Sequence, residues 1–277
     1  MDFLQVVGLR RSIRIFRSWQ QVEREKIQRI LEVVRHTTCP GNIQPWRAVV
    51  VERDKLSRQD REALLAMDNY QAAHVQAPVW IYWFADVDGS GAETFRQRVH
   101  ELVDIGALPT FYGWTHEAID AAIVRGEAAP EGMAAVQTLI HNLPREMAAM
   151  VARQETVGAC AVATLAAVNE GVGTCLHMAS TAEKVPALRA LLKVPEGWDP
   201  IWVQLVGYPA EEMEAGGQRP RLPFETTYFE GTYGRPFPRD PKVVEDLKKE
   251  GLIREPMPKP GRFEELKHLA RAFGFPL

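Results

Sequence analysis

Val79-Trp80-Ile81-Tyr82-Trp83-Phe84 is an uncharged run of β-branched and aromatic residues. Such side chains pack well on a pleated surface, so the run reads as a buried strand. Ala48-Val49-Val50-Val51 before it and Ile201 to Tyr208 far beyond it read the same way. Helical patterns lie between. Val22, Ile27, Ile30, Leu31 and Val34 recur at helical spacing over residues 22–36, and a short amphipathic helix is predicted over 55–66. Glu93 to Arg153 is helical in pattern but broken at Pro109, Gly113, Pro130 and Pro144. Residues 155–170 are nearly all small and apolar; a helix apolar all round is buried, and small residues let a neighbour come close. That stretch is predicted to be the central helix of a domain or subunit interface. It leads into a glycine-rich turn, Gly171 to Met178, and Ser180 with Glu183 forms a predicted capping box for a helix to Leu192. Strands interspersed with helices are read as an α+β class, in one domain over 1–223 that includes the interrupted helical stretch 93–150. Residues 224–277, rich in proline and charge, are predicted to wrap over the domain or its partner, with short helices near 241–250 and 262–273.

Of 277 residues, 46% are hydrophobic and 25% charged, ample for a sizeable core in a soluble protein. The formal net charge of −3 argues against a nucleic-acid partner. Cys39, Cys160 and Cys175 are odd in number and lack C-x-x-C spacing, which argues against a disulfide framework or a zinc ribbon. No apolar run reaches the ~18 residues of a membrane span, and the first one is cut by Arg10 and Arg11. A cytoplasmic protein without a membrane partner is expected.

Against this mildly acidic background two basic clusters stand out. Arg10-Arg11-Ser12-Ile13-Arg14 gathers guanidinium forks and a hydroxyl, donors matched to phosphate oxygens, while Ile13 and Phe16 anchor the segment. Arg219-Pro220-Arg221-Leu222-Pro223 is held extended by its prolines, so Arg219 and Arg221 point the same way. Each could be a solvated turn; together they read as a phosphate clamp. Other motifs fail. Gly171-Val172-Gly173 follows a helix, not a strand, and Leu176 stands where a dinucleotide fingerprint needs glycine. His116-Glu117 has Asp120 where a second zinc ligand would stand, so no metal site is read. The seven histidines read as surface or capped core residues, and His177 alone lies near the presumed site.

Four separated segments, in order, resemble the FMN-dependent nitroreductase family over Arg10 to Pro223. Arg10, Arg11, Ser12 and Arg14 resemble its phosphate-binding start, and Asn42-Ile43-Gln44-Pro45-Trp46 its N-x-Q-P-W segment, which approaches the flavin from the partner subunit. Gly171 to Ala179 resembles its G-x-G-T-C turn, with Leu176 against the ring and the backbone of Met178 and Ala179 at the N5 and O4 edge. Arg219 and Arg221 resemble the closing pair on the phosphate. The family usually has Pro-Ser before the asparagine; here Thr38, Cys39 and Pro40 precede Gly41, so Cys39 stands in for a serine, as a turn residue or as a thiol that tunes the ring. A polar contact to the pyrimidine side comes from the segment near Asn69 to Gln71, without the lysine that often follows.

The resemblance implies a mixed sheet flanked by helices, with residues 93–150 as a lid insertion, in an intertwined homodimer with FMN at each interface. It implies reduction by NAD(P)H and ping-pong transfer to an electron-poor small molecule such as a nitroaromatic or quinone, with no side chain as acid or nucleophile because hydride passes through N5. Phe111 and Tyr112, among the lid aromatics Phe95 and Trp114, are the candidate substrate contacts. The alternatives are reductive dehalogenation or ene reduction of a specific metabolite, or flavin binding without turnover.

Overall fold

The computed structural model describes residues 1–125, 145–211 and 218–254, with 267, 270 and 271. Its spine is β2 (Val79–Asp86), buried along its whole length. β1 (Trp46–Glu52) and β4 (Trp198–Gly207) pair with it antiparallel on either side, and β3 (Gly173–His177) adds to β4, giving the order β1-β2-β4-β3. Trp46 stands opposite Ala85 in one ladder; in the other, Trp83 stands opposite Trp202 just before a register shift at Phe84. The named strands are all antiparallel, so the mixed sheet expected from the resemblance reduces, among the described residues, to one parallel bridge from Ser12 to Thr174. β3 is itself a correction: the stretch read as a glycine-rich turn is a strand.

Alternation along β2 sends Trp80, Tyr82 and Phe84 to one face and Val79, Ile81 and Trp83 to the other. The first face packs on Leu64 and Leu65 of α3 (Arg58–Leu65), Leu188 of α8 (Val185–Leu192), and Ile13 and Phe16. The second packs on Ile27, Ile30 and Val34 of α2 (Arg24–Arg35) and Ala159, Cys160 and Ala163 of α7 (Arg145–Asn169). Two helical layers therefore cover the sheet, and each fully buried large side chain contributes roughly 1.5–3 kcal/mol. Gln204 ties the layers together: its Oε1 accepts from the Trp83 indole at 3.1 Å, and its Nε2 donates to Ala163 O and Thr174 Oγ1.

α7 starts at Arg145, well before the predicted small-residue stretch, and is not buried all round. Ala152, Thr156, Ala159, Cys160, Ala163 and Ala167 face inward, while Met147, Met150, Val157, Gly158 and Ala161 are exposed on the other side. The capping box does not form. Thr181, not Ser180, bonds Glu183, and the Ser180 hydroxyl is buried without a partner.

The lid insertion contains α5 (Ala92–Asp104) and α6 (His116–Ile123), which share a small core of Val99, Ile119, Ala122 and Ile123. Phe95 and Trp114 pack on that core, so these two aromatics hold the lid together. His100 and His116 link the helices through their Nδ1 atoms at 2.6 Å, and each also reaches an aspartate, Asp120 and Asp104 respectively. Pro130 and Pro144 lie outside the described residues.

Beyond the sheet the chain runs from Gln218 through exposed aromatics, Tyr228, Tyr233 and Phe237 among them, to α9 (Pro241–Lys249). Gln218 staples this run to the start of the chain, donating to Gly8 O and Leu252 O while accepting from the Arg254 amide. The helix expected near 262–273 lies outside the described residues except for Lys267, Ala270 and Arg271.

Candidate functional site

Arg10 and Arg221, one arginine from each basic cluster and some 200 residues apart in the chain, come near each other in space. α1 (Phe3–Leu9), a short helix that the sequence pattern did not disclose, delivers Arg10 to the sheet. From there residues 11–17 thread between two sheet ends. The Ile13 amide donates to Thr174 O, the Arg17 amide to Tyr208 O, and the Ala210 amide to Ile15 O. Arg10 is held near Arg221: burial first, then the charge of Arg221, lowers its pKa from the usual arginine range. Among the described residues no carboxylate pairs with Arg10, Arg219 or Arg221. Two cations drawn together without a counterion repel each other unless an anion sits between them.

The members of the first cluster do different jobs. Arg11 is buried and paired with Glu211 at 3.6 Å, and the Arg14 amide donates to the same carboxylate at 3.1 Å. Arg11, expected in the clamp, is thus also charge-paired within the chain. Arg14 keeps an exposed guanidinium, with only a long contact to Ser12 O at 3.5 Å. The Ser12 hydroxyl bonds the Cys175 thiol, whose pKa burial raises against the pull of Arg14 and Arg10. Glu211 could not be picked out in the sequence, because nothing local marks it.

At the C-terminal end of β3, Leu176 is half-buried, Met178 is 62% exposed and Ala179 is buried. Two polar atoms flank this exit, His177 Nε2 and Ser180 Oγ, both buried and without a hydrogen-bond partner. Orphaned buried polar groups are uncommon and costly. A few residues away in space lies a strained loop: Asn69 and Tyr70 both adopt positive φ, 60° and 56°. Lys184 Nζ donates to Ala66 O at 2.7 Å and to Asn69 Oδ1 at 2.9 Å, so the lysine absent from this loop's own sequence arrives from another element.

The Asn42 segment is a second strained loop, with Gly41, Asn42 and Gln44 at φ 54°, 56° and 47°. A Cβ on Gly41 would overlap the Phe95 ring of α5, so the lid sits directly on this turn. Gln44 Nε2 donates to Asn42 Oδ1 at 2.8 Å, and the Gln44 amide donates to Cys39 Sγ at 3.2 Å. Burial pushes the Cys39 thiol up, so it serves the turn as a neutral acceptor. Thr38 and Pro40 are exposed beside it. Phe111 is 80% exposed at the end of the lid, and of Tyr112 only the backbone is described. Among the described residues no group of His, Cys, Asp and Glu is placed to hold a metal, and no helix is long and apolar enough to cross a membrane.

The basic residues, the exposed exit of β3 with two unpartnered polar atoms, and the strained loop at Asn69 and Tyr70 are the features a ligand could use. The sequence profile described as the Nitroreductase family matches residues 8–208. A protein named NADH dehydrogenase from Thermus thermophilus is 31% identical over 222 residues, 78% of this chain and 89% of that protein. A putative NAD(P)H nitroreductase from Bacillus subtilis, YdgI, is 29% identical over 111 residues, 39% of this chain and 49% of that one. Among solved structures, a putative nitroreductase in complex with FMN from Exiguobacterium sibiricum superposes with a TM-score of 0.60 at 19% identity, over 80% of this chain and 94% of that one.

Proposed function

The chain belongs to the nitroreductase family, and from that premise we propose that it is an FMN-dependent, NAD(P)H-oxidising enzyme whose acceptor is an electron-poor small molecule. The observation that carries the reading is the closeness of Arg10 and Arg221, neither paired with a carboxylate among the described residues, which fits the terminal phosphate of FMN. Arg14 and Arg219 extend the clamp, Ser12 and Cys175 form its floor, and Arg11 holds Glu211 away from the phosphate. Leu176, Met178 and Ala179 would lie along the ring, and Asn69, oriented by Lys184, would face its pyrimidine end. When bound, FMN supplies the redox chemistry, taking a hydride from NAD(P)H and passing two electrons to a nitroaromatic or quinone in a ping-pong cycle. The chain's own part is to hold, orient and shield; this accounts for the lack of a nucleophile or general base in the site.

The exposed apolar face of α7, with Met147, Met150, Val157 and Ala161, supports a homodimer. In such a dimer Thr38, Cys39, Pro40 and Asn42 of one protomer would reach the site of its partner, and Phe111 with Tyr112 would border the acceptor. The deciding experiment is the purified protein itself. A yellow sample that releases FMN on denaturation, and whose colour NADH or NADPH bleaches and a quinone restores, is the expected result. A colourless protein that takes up no FMN sinks the reading.

A further inference from the structure

Behind the strand exit lies a buried polar chain that the proposed chemistry leaves without a task. His74, on α4 (Ala72–Gln76), is fully buried; its Nδ1 meets Asp68 Oδ2 at 2.8 Å and its Nε2 meets the Tyr82 hydroxyl at 3.3 Å. The Trp80 ring closes over it edge-on at 4.3 Å. Burial, with Asp68 nearby, pushes the Tyr82 phenol far above its usual range, so it stays protonated. Whichever way the protons sit, this chain uses one Asp68 oxygen. The other, Oδ1, is buried with no partner, and so is His177 Nε2. A buried carboxylate with half of its acceptor capacity unused is costly unless a cation is available to it. His177 is the last residue of β3, immediately before Met178 and Ala179.

Resting on the reading of this site as an FMN site, we infer that His177 is a redox-linked proton acceptor, positioned against the buried Asp68–His74–Tyr82 chain, that takes up one proton from solvent when the bound flavin gains two electrons. The electrons come from NAD(P)H; at His177 one N–H bond forms, and nothing there is oxidised or reduced. The groups facing it set the sign. Burial lowers the His177 pKa first, Asp68 raises it, and His74 and Arg14 lower it. The net direction is down, which favours the neutral imidazole. Negative charge gained next to it opposes that depression and raises its proton affinity. Asp68 then supplies the carboxylate that an imidazolium needs, and the new charge on the ring is compensated from the β3 side.

The test is the midpoint potential of bound FMN in the holoenzyme, followed from about pH 5 to about pH 9, the range in which histidines titrate. One extra proton per two electrons adds ~30 mV of fall per pH unit, since a tenfold change in a two-electron equilibrium corresponds to that shift. The extra slope is expected in a window that opens at the depressed His177 pKa of the oxidised enzyme and closes at its higher value in the reduced one. His177→Gln loses the extra slope; Asp68→Asn closes the window at a lower pH. A merely structural His177 would alter thermal stability and leave the slope alone. If His177→Gln fails to hold FMN, nitrogen-15 histidine spectra of the parent read the same event, with His177 passing from neutral imidazole to imidazolium on reduction. An unchanged slope in His177→Gln, or a His177 that stays neutral on reduction, overturns the inference. A parent without FMN overturns the site reading beneath it.

Discussion

Replacing Arg221 by alanine measures the clamp. A charged hydrogen bond to phosphate contributes about 1.5–3 kcal/mol. Arg221 also presses on Arg10 when no anion is present, since its charge is the second cause of the lowered Arg10 pKa. Deleting it relieves that repulsion in the free protein, which offsets part of the lost bond. The expected loss therefore sits low in the range, about 1.5–2 kcal/mol, or roughly 10- to 30-fold in Kd. Arg11→Ala should behave differently, because it removes a cation from beside the Glu211 carboxylate, which the Arg14 amide keeps next to the first cluster. Its defect should be repaired by adding Glu211→Gln, whereas that second change should not rescue Arg221→Ala. The assay is fluorescence titration of the apoprotein with FMN and with riboflavin, alongside thermal melts to exclude unfolding. Riboflavin lacks the phosphate, so its affinity should not respond to Arg221→Ala. Equal losses for both flavins, or no loss for FMN, would refute the placement of the clamp.

Val157→Asp, on the exposed face of α7, should give monomers in sedimentation at low micromolar concentration with loss of bound flavin; a yellow monomer would contradict the shared site. Phe111→Ala should change kcat/KM for aromatic acceptors while FMN occupancy and dimerisation survive, because this ring is 80% exposed and contributes little to the lid core. Unaltered kinetics for every aromatic acceptor would remove Phe111 from the substrate path. Gln204→Leu strands the Trp83 indole, the Thr174 hydroxyl and the Ala163 carbonyl, and should cost about 2–4 kcal/mol in denaturant unfolding. A cost near zero would mean that buried water takes over these bonds.

The fold was legible where composition and periodicity agree. β2 and α2 announce themselves, one by uncharged β-branched and aromatic content, the other by helical spacing, and both are found within two residues of their predicted limits. β3 was not legible. Glycine is a weak strand former, and the segment is extended because β4 pairs with it along its length, from Gly173 opposite Gly207 to His177 opposite Val203. Edge pairing over thirty residues of chain leaves no local mark. The capping box failed for a related reason: Thr181 competes with Ser180 for Glu183 and, one residue closer, wins.

The candidate site divides along the same line. Residue types that carry charge are visible anywhere in a chain, so both arginine clusters could be named as donors before any geometry was known. What each arginine does depends on its partner, and partners are chosen by the fold. Arg11 and Arg14 differ by three positions, yet Glu211 neutralises the first and leaves the guanidinium of the second exposed. Lys184 makes the point most sharply. The loop at Asn69 lacks a lysine in sequence and has one in space, because the turn before α8 packs against the end of α3 and aims Nζ at Asn69 Oδ1. One lone pair of its oxygen is held there, so the Asn69 amide keeps its N–H₂ and a second lone pair to offer a ligand. A residue that looked absent from the loop thus fixes the Asn69 side chain from 115 positions away.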